Sequence, residues 1–301
     1  MQSSLCFRIP AVSDAVHVIV VNYNAGAHLM RCVRAVLASR VPVRITLVDN
    51  ASTDDSLAPV EALAAAGAPV RVLRNAGNLG FAKAVNRALR EVVEPFALIL
   101  NPDCFLESGT LSRLVSALDA HPRAGMAGCL IHGLDGQEEA AARRSVPTPW
   151  AGFLRMAGLQ RWLDTGDARD RPPPSAPQSV EAISGACMLV RMAAVRDVGG
   201  LDEGYVLHCE DLDWFVRFRQ QGWEILFVPD ATAVHVKGAC SISRPVWVAW
   251  HKHRGMLRFY RKFYARRYPG ALFAAVALGV GLRFLGEAVT GTLRRLRGAG
   301  R

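Results

Sequence analysis

Along the first hundred residues, apolar positions follow two alternating rhythms. Short runs of β-branched and aliphatic residues, Val16–Val21 (VHVIVV), Val43–Val48 (VRITLV), Val70–Leu73 and Phe96–Leu100 (FALIL), have the length and composition of buried strands. Between them, Ala27–Ser39, Ser56–Ala66 and Gly80–Val92 repeat apolar residues at helical spacing. This alternation predicts an α/β fold with a parallel, right-handed, doubly wound sheet, in which ligands bind beyond the carboxyl ends of the strands. The rhythm then breaks. Gly133–Val180 is rich in Pro, Arg and small residues, includes Arg171-Pro172-Pro173-Pro174, and reads as a loop or linker with one helical stretch, Pro149–Leu163. Regular structure resumes at Glu181–Arg191, followed by a helix over Leu212–Gln221 and a strand over Trp223–Val228.

Composition changes this picture at one end only. The 301 residues are 51% hydrophobic and 21% charged, ordinary for a globular chain. Seven cysteines stand singly, without zinc or redox spacing, and are expected to be reduced thiols of a cytoplasmic protein. The N-terminus lacks the charged region, apolar core and cleavage site of a signal peptide. The net charge of +10 lies wholly in the tail: residues 252–301 hold twelve Lys or Arg and one acid, Glu287, leaving 24 basic and 25 acidic residues before them. A nucleic-acid binder spreads basic residues over its folded face, so nucleic acid is not an expected partner. Inside the basic tail, Ala271–Leu282 is a run of twelve apolar or glycine residues, too short by itself to span a bilayer. With Tyr260, Phe263, Tyr264 and Tyr268 and their neighbouring arginines before it, it suits a membrane surface; the competing expectation is a helix packed on the protein's own core.

Four segments at predicted strand ends could carry chemistry. After the first strand, the backbone of Val21 and Asn22 could meet a base edge while Tyr23 stacks nearby, although Asn-rich turns are common in their own right. Asp49, directly after the second strand, could accept a pyrimidine N–H or a ribose hydroxyl, whereas Ser52 to Asp55 read as helix caps. In Asn75–Lys83, glycines including Gly80 admit close backbone approach beside Asn78, and Lys83 adds charge near a helix start. The segment is neither a dinucleotide fingerprint nor a Walker loop. After the fourth strand comes Asn101-Pro102-Asp103, where Asp103 is either a turn residue or an oxygen ligand for Mg²⁺ or Mn²⁺.

The second half offers Glu210-Asp211-Leu212-Asp213-Trp214. Adjacent carboxylates opening a helix are electrostatically awkward unless a cation or the helix N-terminus favours them. Asp213 and Arg217, four apart, are expected to pair on the helix face, which leaves Asp211 and Glu210 as acid/base candidates. His235, after another apolar run, reads more readily as a core or loop residue than as a ligand.

In their order and spacing these segments resemble the family 2 glycosyltransferases of the GT-A fold, most closely the rhamnosyltransferase-like branch that builds bacterial surface polysaccharides. The resemblance covers roughly Val16–Ser243 and rests on VIVVNYN, LVDNASTDDS, RNAGNLGFAKAVNRAL, LILNPD, ISGACMLVRMAAVRDVGGLDE, EDLDWFVRFRQQGW and His235. It implies a GT-A type, mostly parallel sheet with a basic helical tail. Residues 1–130 would be the nucleotide-sugar half, 131–245 the acceptor and catalytic half, and 246–301 the tail. It implies a nucleotide-diphosphate sugar donor held by Val21, Asn22, Tyr23, Asp49, Asn78, Gly80, Lys83 and Asn101. Asp103 would hold the Mg²⁺ or Mn²⁺, with His235 as a further ligand, and Asn101 stands where a full DxD motif has its first Asp. Asp211, in the pair with Glu210, would be the general base of an inverting transfer, and Gly185 and Trp214 would line the sugar or acceptor pocket. The best-matching donor is dTDP-rhamnose and the acceptor a glycan or polyprenyl-linked glycan, with the enzyme peripheral at the inner face of the plasma membrane. Rival expectations are a different UDP- or GDP-sugar, a non-catalytic nucleotide-sugar-binding protein, and a sugar-nucleotide pyrophosphorylase, whose Gly-rich, basic first loop VNYNAGAH lacks.

Overall fold

The computed structural model describes residues 15–156, 172–236 and 245–298. In the first hundred residues, β1 (Val16–Asn22), β2 (Val43–Asp49), β3 (Val70–Arg74) and β4 (Phe96–Leu100) alternate with α1 (Ala27–Leu37), α2 (Ala58–Ala65) and α3 (Phe81–Leu89), as the apolar rhythm predicts. There follow β5 (Cys104–Leu106), α4 (Thr110–Ala120), β6 (Ala124–His132), β7 (Arg143–Arg144), α5 (Pro149–Met156), β8 (Gln178–Ser179) and β9 (Ala182–Ile183). The rest comprises β10 (Cys187–Arg191), α6 (Met192–Val198), α7 (Glu210–Gln220), β11 (Glu224–His235), α8 (Pro245–Tyr264) and α9 (Gly270–Gly298).

One nine-stranded sheet runs in the order β3-β2-β1-β4-β10-β6-β11-β5, with β8 joined to β11; β7 and β9 form a separate pair. The sheet is mostly parallel but mixed: β1 is parallel to β2 and β4, and β6 to β11, while β10 runs against both β4 and β6. Because β10 is antiparallel to both neighbours, β6 and β11 recover the direction of β4. The carboxyl ends of β1, β2, β3, β4, β6 and β11 therefore share one edge. The start of β5 lies there too, with Cys104 opposite His235.

Alternation along β1 divides the core between the two faces of the sheet. Val16, Val18 and Val20 pack with Leu29 and Val33 of α1 and Leu114 of α4, whereas Ile19 and Val21 pack with Val85 of α3 and Phe215 of α7. Both faces are thus covered, which is why the strands read as unbroken apolar runs. The described cysteines Cys32, Cys104, Cys129, Cys187 and Cys209 are buried free thiols.

Several boundaries differ from expectation for identifiable reasons. The last strand continues past Val228 to His235 by slipping register against β6 between Val228 and Thr232, an irregularity that accommodates Pro229, which has no N–H for the ladder. Helix α2 starts at Ala58 with no side-chain cap. Asp54 instead accepts from the Gly26 N–H and from Ser56, so Ser52 to Asp55 shape the loop between β2 and α2 without capping it. The stretch read as loop or linker contributes β7, α5 and β8, and the part of Pro149–Leu163 beyond Met156 lies outside the described residues.

The tail is helical. The twelve-residue apolar run belongs to the 29-residue helix α9, whose window Gly270–Glu287 has a mean hydropathy of 1.5 and passes for a membrane crossing by length and composition. The expectation of packing on the protein itself is met by part of the tail. Helix α8 is packed on the domain through Phe259 and Tyr260, which are buried. Helix α9 packs on α8 and α5 along one side, through Val276 and Val280, and exposes Leu278, Leu282 and Leu285 on the other.

Candidate active site

At the ends of β1 and β2 the sequence buries a polar knot. Asn22 is 0% exposed, and its Nδ2 donates to Asp49 Oδ1 at 2.9 Å and to Ser52 and Ser56 Oγ at 3.0 Å each. Asp49 Oδ2 also accepts from the Ser52 N–H at 3.2 Å. The buried Asp49 carboxylate therefore fixes the loop that follows β2, besides standing at the strand end. The Asn22 carbonyl is committed to the Asn50 N–H, while Tyr23 is half-buried at the rim. Asn78 Oδ1 accepts from the Gly80 N–H at 3.0 Å and Lys83 is exposed in the first turn of α3. Gly80 has a φ of 84°, and a Cβ there would lie 2.8 Å from the Val206 carbonyl oxygen. Glycine is required at this position by the chain's own 201–209 loop.

Backbone strain gathers at this edge. The non-glycine residues with left-handed φ among those described are Asn24, Ala51, His208 and Cys209. All sit in loops leaving β1 or β2 or entering α7. Each costs on the order of 1 kcal/mol, which the surrounding structure must offset.

Beyond β4, Asn101 anchors through its backbone, donating to the Ala186 carbonyl at 2.9 Å and accepting from the Cys104 N–H at 3.1 Å. The turn it opens delivers Asp103, buried at the start of β5, against His235 at the end of β11. His235 Nε2 lies 3.2 Å from Asp103 Oδ1, and its Nδ1 lies 3.0 Å from Glu139 Oε1. A carboxylate therefore faces each ring nitrogen. Burial alone would lower its pKa, but the bonds to Asp103 and Glu139 outweigh burial and raise it to about 9. The pair fits a divalent cation. Asp103 Oδ1 and His235 Nε2 face each other, and with Nδ1–H donating to Glu139 the lone pair of the neutral ring would lie on Nε2, where an ion would take the place of a proton. Among the described residues no cluster of three or more His, Cys, Asp or Glu side chains is arranged around one metal position. The two donors leave the remaining positions for phosphate oxygens or water.

The third element of the site is α7. Arg144 of β7 donates to Asp211 Oδ2 at 3.0 Å, and Asp211 Oδ1 accepts its neighbour's Leu212 N–H at 2.8 Å. Gly185 passes so close that a Cβ would stand 3.0 Å from Asp211 Oδ2. Glu210 is buried and its Oε2 finds no hydrogen-bond partner. Burial, and after it the charge of Asp211, push its carboxyl well above the usual range. The two adjacent acids are thereby differentiated: Asp211 is ion-paired and oriented, Glu210 is enclosed. His208, exposed at the entrance to α7 near Asp211, Lys252 and Arg144, has its pKa lowered, by desolvation first.

Two expectations need correction. Trp214 is 0% exposed and donates its indole N–H to the Gly199 carbonyl at 2.8 Å, so it belongs to the core and lines no pocket. Asp213 does pair with Arg217, at 2.6 Å, but it is fully buried and also meets Lys262 of α8 at 2.6 Å and the Tyr205 hydroxyl at 3.2 Å. Glu139 and Arg144 lie in the segment whose composition reads as a loop. The signal available was the dense charge of Glu138-Glu139 and Arg143-Arg144, which a solvated turn would show equally. A cleft of about 470 Å³ lined by His17, Arg44 and Glu94 opens at the opposite end of the sheet and contains none of these residues.

Residues 17–199 match the family described as Glycosyl transferase family 2. The chain is 33% identical over 242 residues to the N-acetylglucosaminyl-diphospho-decaprenol L-rhamnosyltransferase of Mycobacterium tuberculosis, covering 75% of this chain and 77% of that protein. A 56-residue stretch is 38% identical to the rhamnosyltransferase WbbL of Escherichia coli, covering 19% of this chain and 21% of that one. Among solved structures, the fold is similar to a mannosyltransferase from Pyrobaculum calidifontis in complex with GDP-Man and Mn²⁺, with a TM-score of 0.58, 18% identity, and coverage of 95% of this chain and 75% of that one. It is also similar to GalNAc-T7 with UDP, GalNAc and Mn²⁺, at a TM-score of 0.57 and 20% identity, where 74% of this chain spans only 43% of that one.

Proposed function

The chain belongs to glycosyl transferase family 2, and from that premise we propose that it transfers rhamnose from dTDP-rhamnose to a hydroxyl of a polyprenyl-diphosphate-linked glycan, with inversion at the anomeric carbon. Glycosyl transfer itself follows from the family. The observation that carries the finer reading is the 33% identity, across three quarters of the chain, to an enzyme named for a decaprenol-linked acceptor and L-rhamnose. A lipid-linked acceptor in turn implies work at the inner face of the plasma membrane.

Residues 1–130 form the nucleotide-binding half in this reading. The ends of β1 and β2 receive the base and ribose, with Asp49 as acceptor and Tyr23 at the rim. Lys83 and the N-terminus of α3 face the diphosphate. Asp103 and His235 hold Mg²⁺ or Mn²⁺, which when bound neutralises the charge developing on the departing nucleotide diphosphate. Residues 131–245 supply the acceptor side. Asp211, oriented by Arg144, removes the acceptor hydroxyl proton as the new glycosidic bond forms and the sugar–phosphate bond breaks. Glu210, enclosed and without the arginine, does not compete for that role. The basic tail, 246–301, serves the membrane face.

The test is turnover of a panel of dTDP-, UDP- and GDP-sugars with Mn²⁺ or Mg²⁺, comparing wild type with Asp211→Asn. Turnover of dTDP-rhamnose onto a polyprenyl-linked acceptor is expected, falling about 10²- to 10⁴-fold in the variant with donor binding retained. Turnover of another donor alone would replace rhamnose by that sugar, and failure to bind any nucleotide sugar would overturn the reading.

A further inference from the structure

Helices α8 and α9 form an antiparallel hairpin. Trp250 and His253 of α8 meet Phe284 of α9, with ring centroids 5.5 and 5.8 Å apart. Arg261, three turns further on, lies over Phe273, 5.9 Å from its centroid. The helices therefore run side by side for roughly 16 Å. Arg258 and Lys262 of α8 bind Asp202 of the domain at 2.9 and 2.7 Å. The inner side of α9 is closed by Val276 and Val280, 2% and 6% exposed, and by ion pairs from Lys252 and Arg283 to Glu287.

The outer side of α9 is different. Leu278, Leu282 and Leu285 are 66%, 61% and 58% exposed, and at spacings of four and three they make one stripe. Trp247 and Trp250, one turn apart on α8, are 40% and 50% exposed. Exposed basic residues surround the hairpin: Arg266 and Arg267 at its turn and Arg254 along α8. A contiguous apolar stripe framed by cations is complementary to a lipid surface with anionic headgroups, while a second copy of the chain would bring a second excess of positive charge against the first.

We propose that this hairpin is the membrane-docking face, with α9 lying in the plane of the interface and not crossing the bilayer. Its leucine stripe enters the acyl boundary, the two tryptophans sit at headgroup level, and the arginines meet anionic lipid. Length and hydropathy alone would allow α9 to span. The packing does not. A crossing would carry Arg254, Arg258, Arg261 and Lys262, which flank the apolar part of α9, into hydrocarbon, or would strip α8 from Asp202 and Asp213. The inference deepens the reading of a lipid-linked acceptor, since α8 also backs onto the loop leading into Asp211: a Cβ at Gly255 would lie 3.0 Å from the His208 carbonyl oxygen.

The experiment is sedimentation of the full chain with vesicles of phosphatidylcholine alone or with one-third phosphatidylglycerol, followed by alkaline carbonate extraction, light scattering, and donor turnover in vesicle-free buffer. The comparison is with the triple variant L278E/L282E/L285E. Binding that needs the anionic lipid, is stripped by carbonate, and weakens at least about tenfold in the variant is expected. The variant's melting temperature and vesicle-free turnover should match wild type. Retention after carbonate would mean a crossing helix, and unchanged vesicle binding by the variant would place docking elsewhere. A wild-type dimer that the variant dissolves would mean a second copy covers the stripe. Any of these overturns the proposal. Docking as expected with no nucleotide sugar turned over would leave it standing and sink the functional reading alone.

Discussion

At the scale of single residues, the site depends on side chains that the sequence made visible and on others that it concealed. Asp49, Asp103 and Asp211 stand out as candidates because each lies just past a strand or opens a helix, where such sheets expose function, whereas His235 reads by itself as a core or loop residue and enters only through the family resemblance. Glu139 was not legible, because its meaning comes from one contact across the fold, to His235 Nδ1. Replacing it by Gln should leave the protein folded and weaken Mn²⁺ binding by about 10- to 100-fold, measured by titration of the ion rather than by turnover. An unchanged affinity would show that the carboxylate does not orient the ligand. Gly185 makes a second residue-level prediction. Adding a methyl group there forces the Asp211 carboxylate, 3.0 Å away, to shift by a few tenths of an ångström. Gly185→Ala should therefore lower kcat roughly tenfold with the melting temperature little changed; a large loss of stability with normal kcat would make the glycine a packing residue instead.

At the scale of elements, β1 and β4 were readable from sequence because they are buried on both faces, and the helices because one stripe is. Elements without such periodicity were lost. β7 and β9 are two residues long, too short for any pattern, yet β7 places Arg144 on Asp211. Trp214 illustrates the opposite error. The family resemblance implies a place for it in the sugar or acceptor pocket, but the face of α7 that meets the core is settled by partners in other elements, such as the Gly199 carbonyl. The attachment of α8 is also an element-level matter, and it has a pH signature. Burial would raise the Asp202 carboxyl, but Lys262, the Gly204 N–H and Arg258 together bring it down to about 2, from 3.8. Its contribution to stability is therefore present above pH 3.8 and disappears as pH falls through about 2. The melting temperatures of wild type and Asp202→Asn should differ at neutral pH and converge toward pH 2. A constant difference across that range would mean that the ion pairs do not hold the helix.

At the scale of the molecule, a neutral body and a basic tail divide the work. The proposed nucleotide and acceptor sides meet at one edge of the sheet, and the charge excess lies in the C-terminal helices. Raising salt should weaken vesicle binding steeply while leaving vesicle-free donor turnover nearly unchanged, since screening acts on exposed charge more than on buried pairs. Parallel loss of both would tie the tail to catalysis directly. The strand order also bears on synthesis. β10, residues Cys187–Arg191, lies between β4 and β6, so a growing chain exposes Asp103 and completes β6 long before the strand that joins them exists. Until then β4 and β6 offer unpaired edges. Ribosomes stalled before Cys187 emerges should hold chains that are protease-sensitive and bound by chaperones, and those stalled well after Arg191 should hold resistant ones. The time between these two lengths, set by elongation rate, is the interval in which this enzyme is most exposed to misassembly.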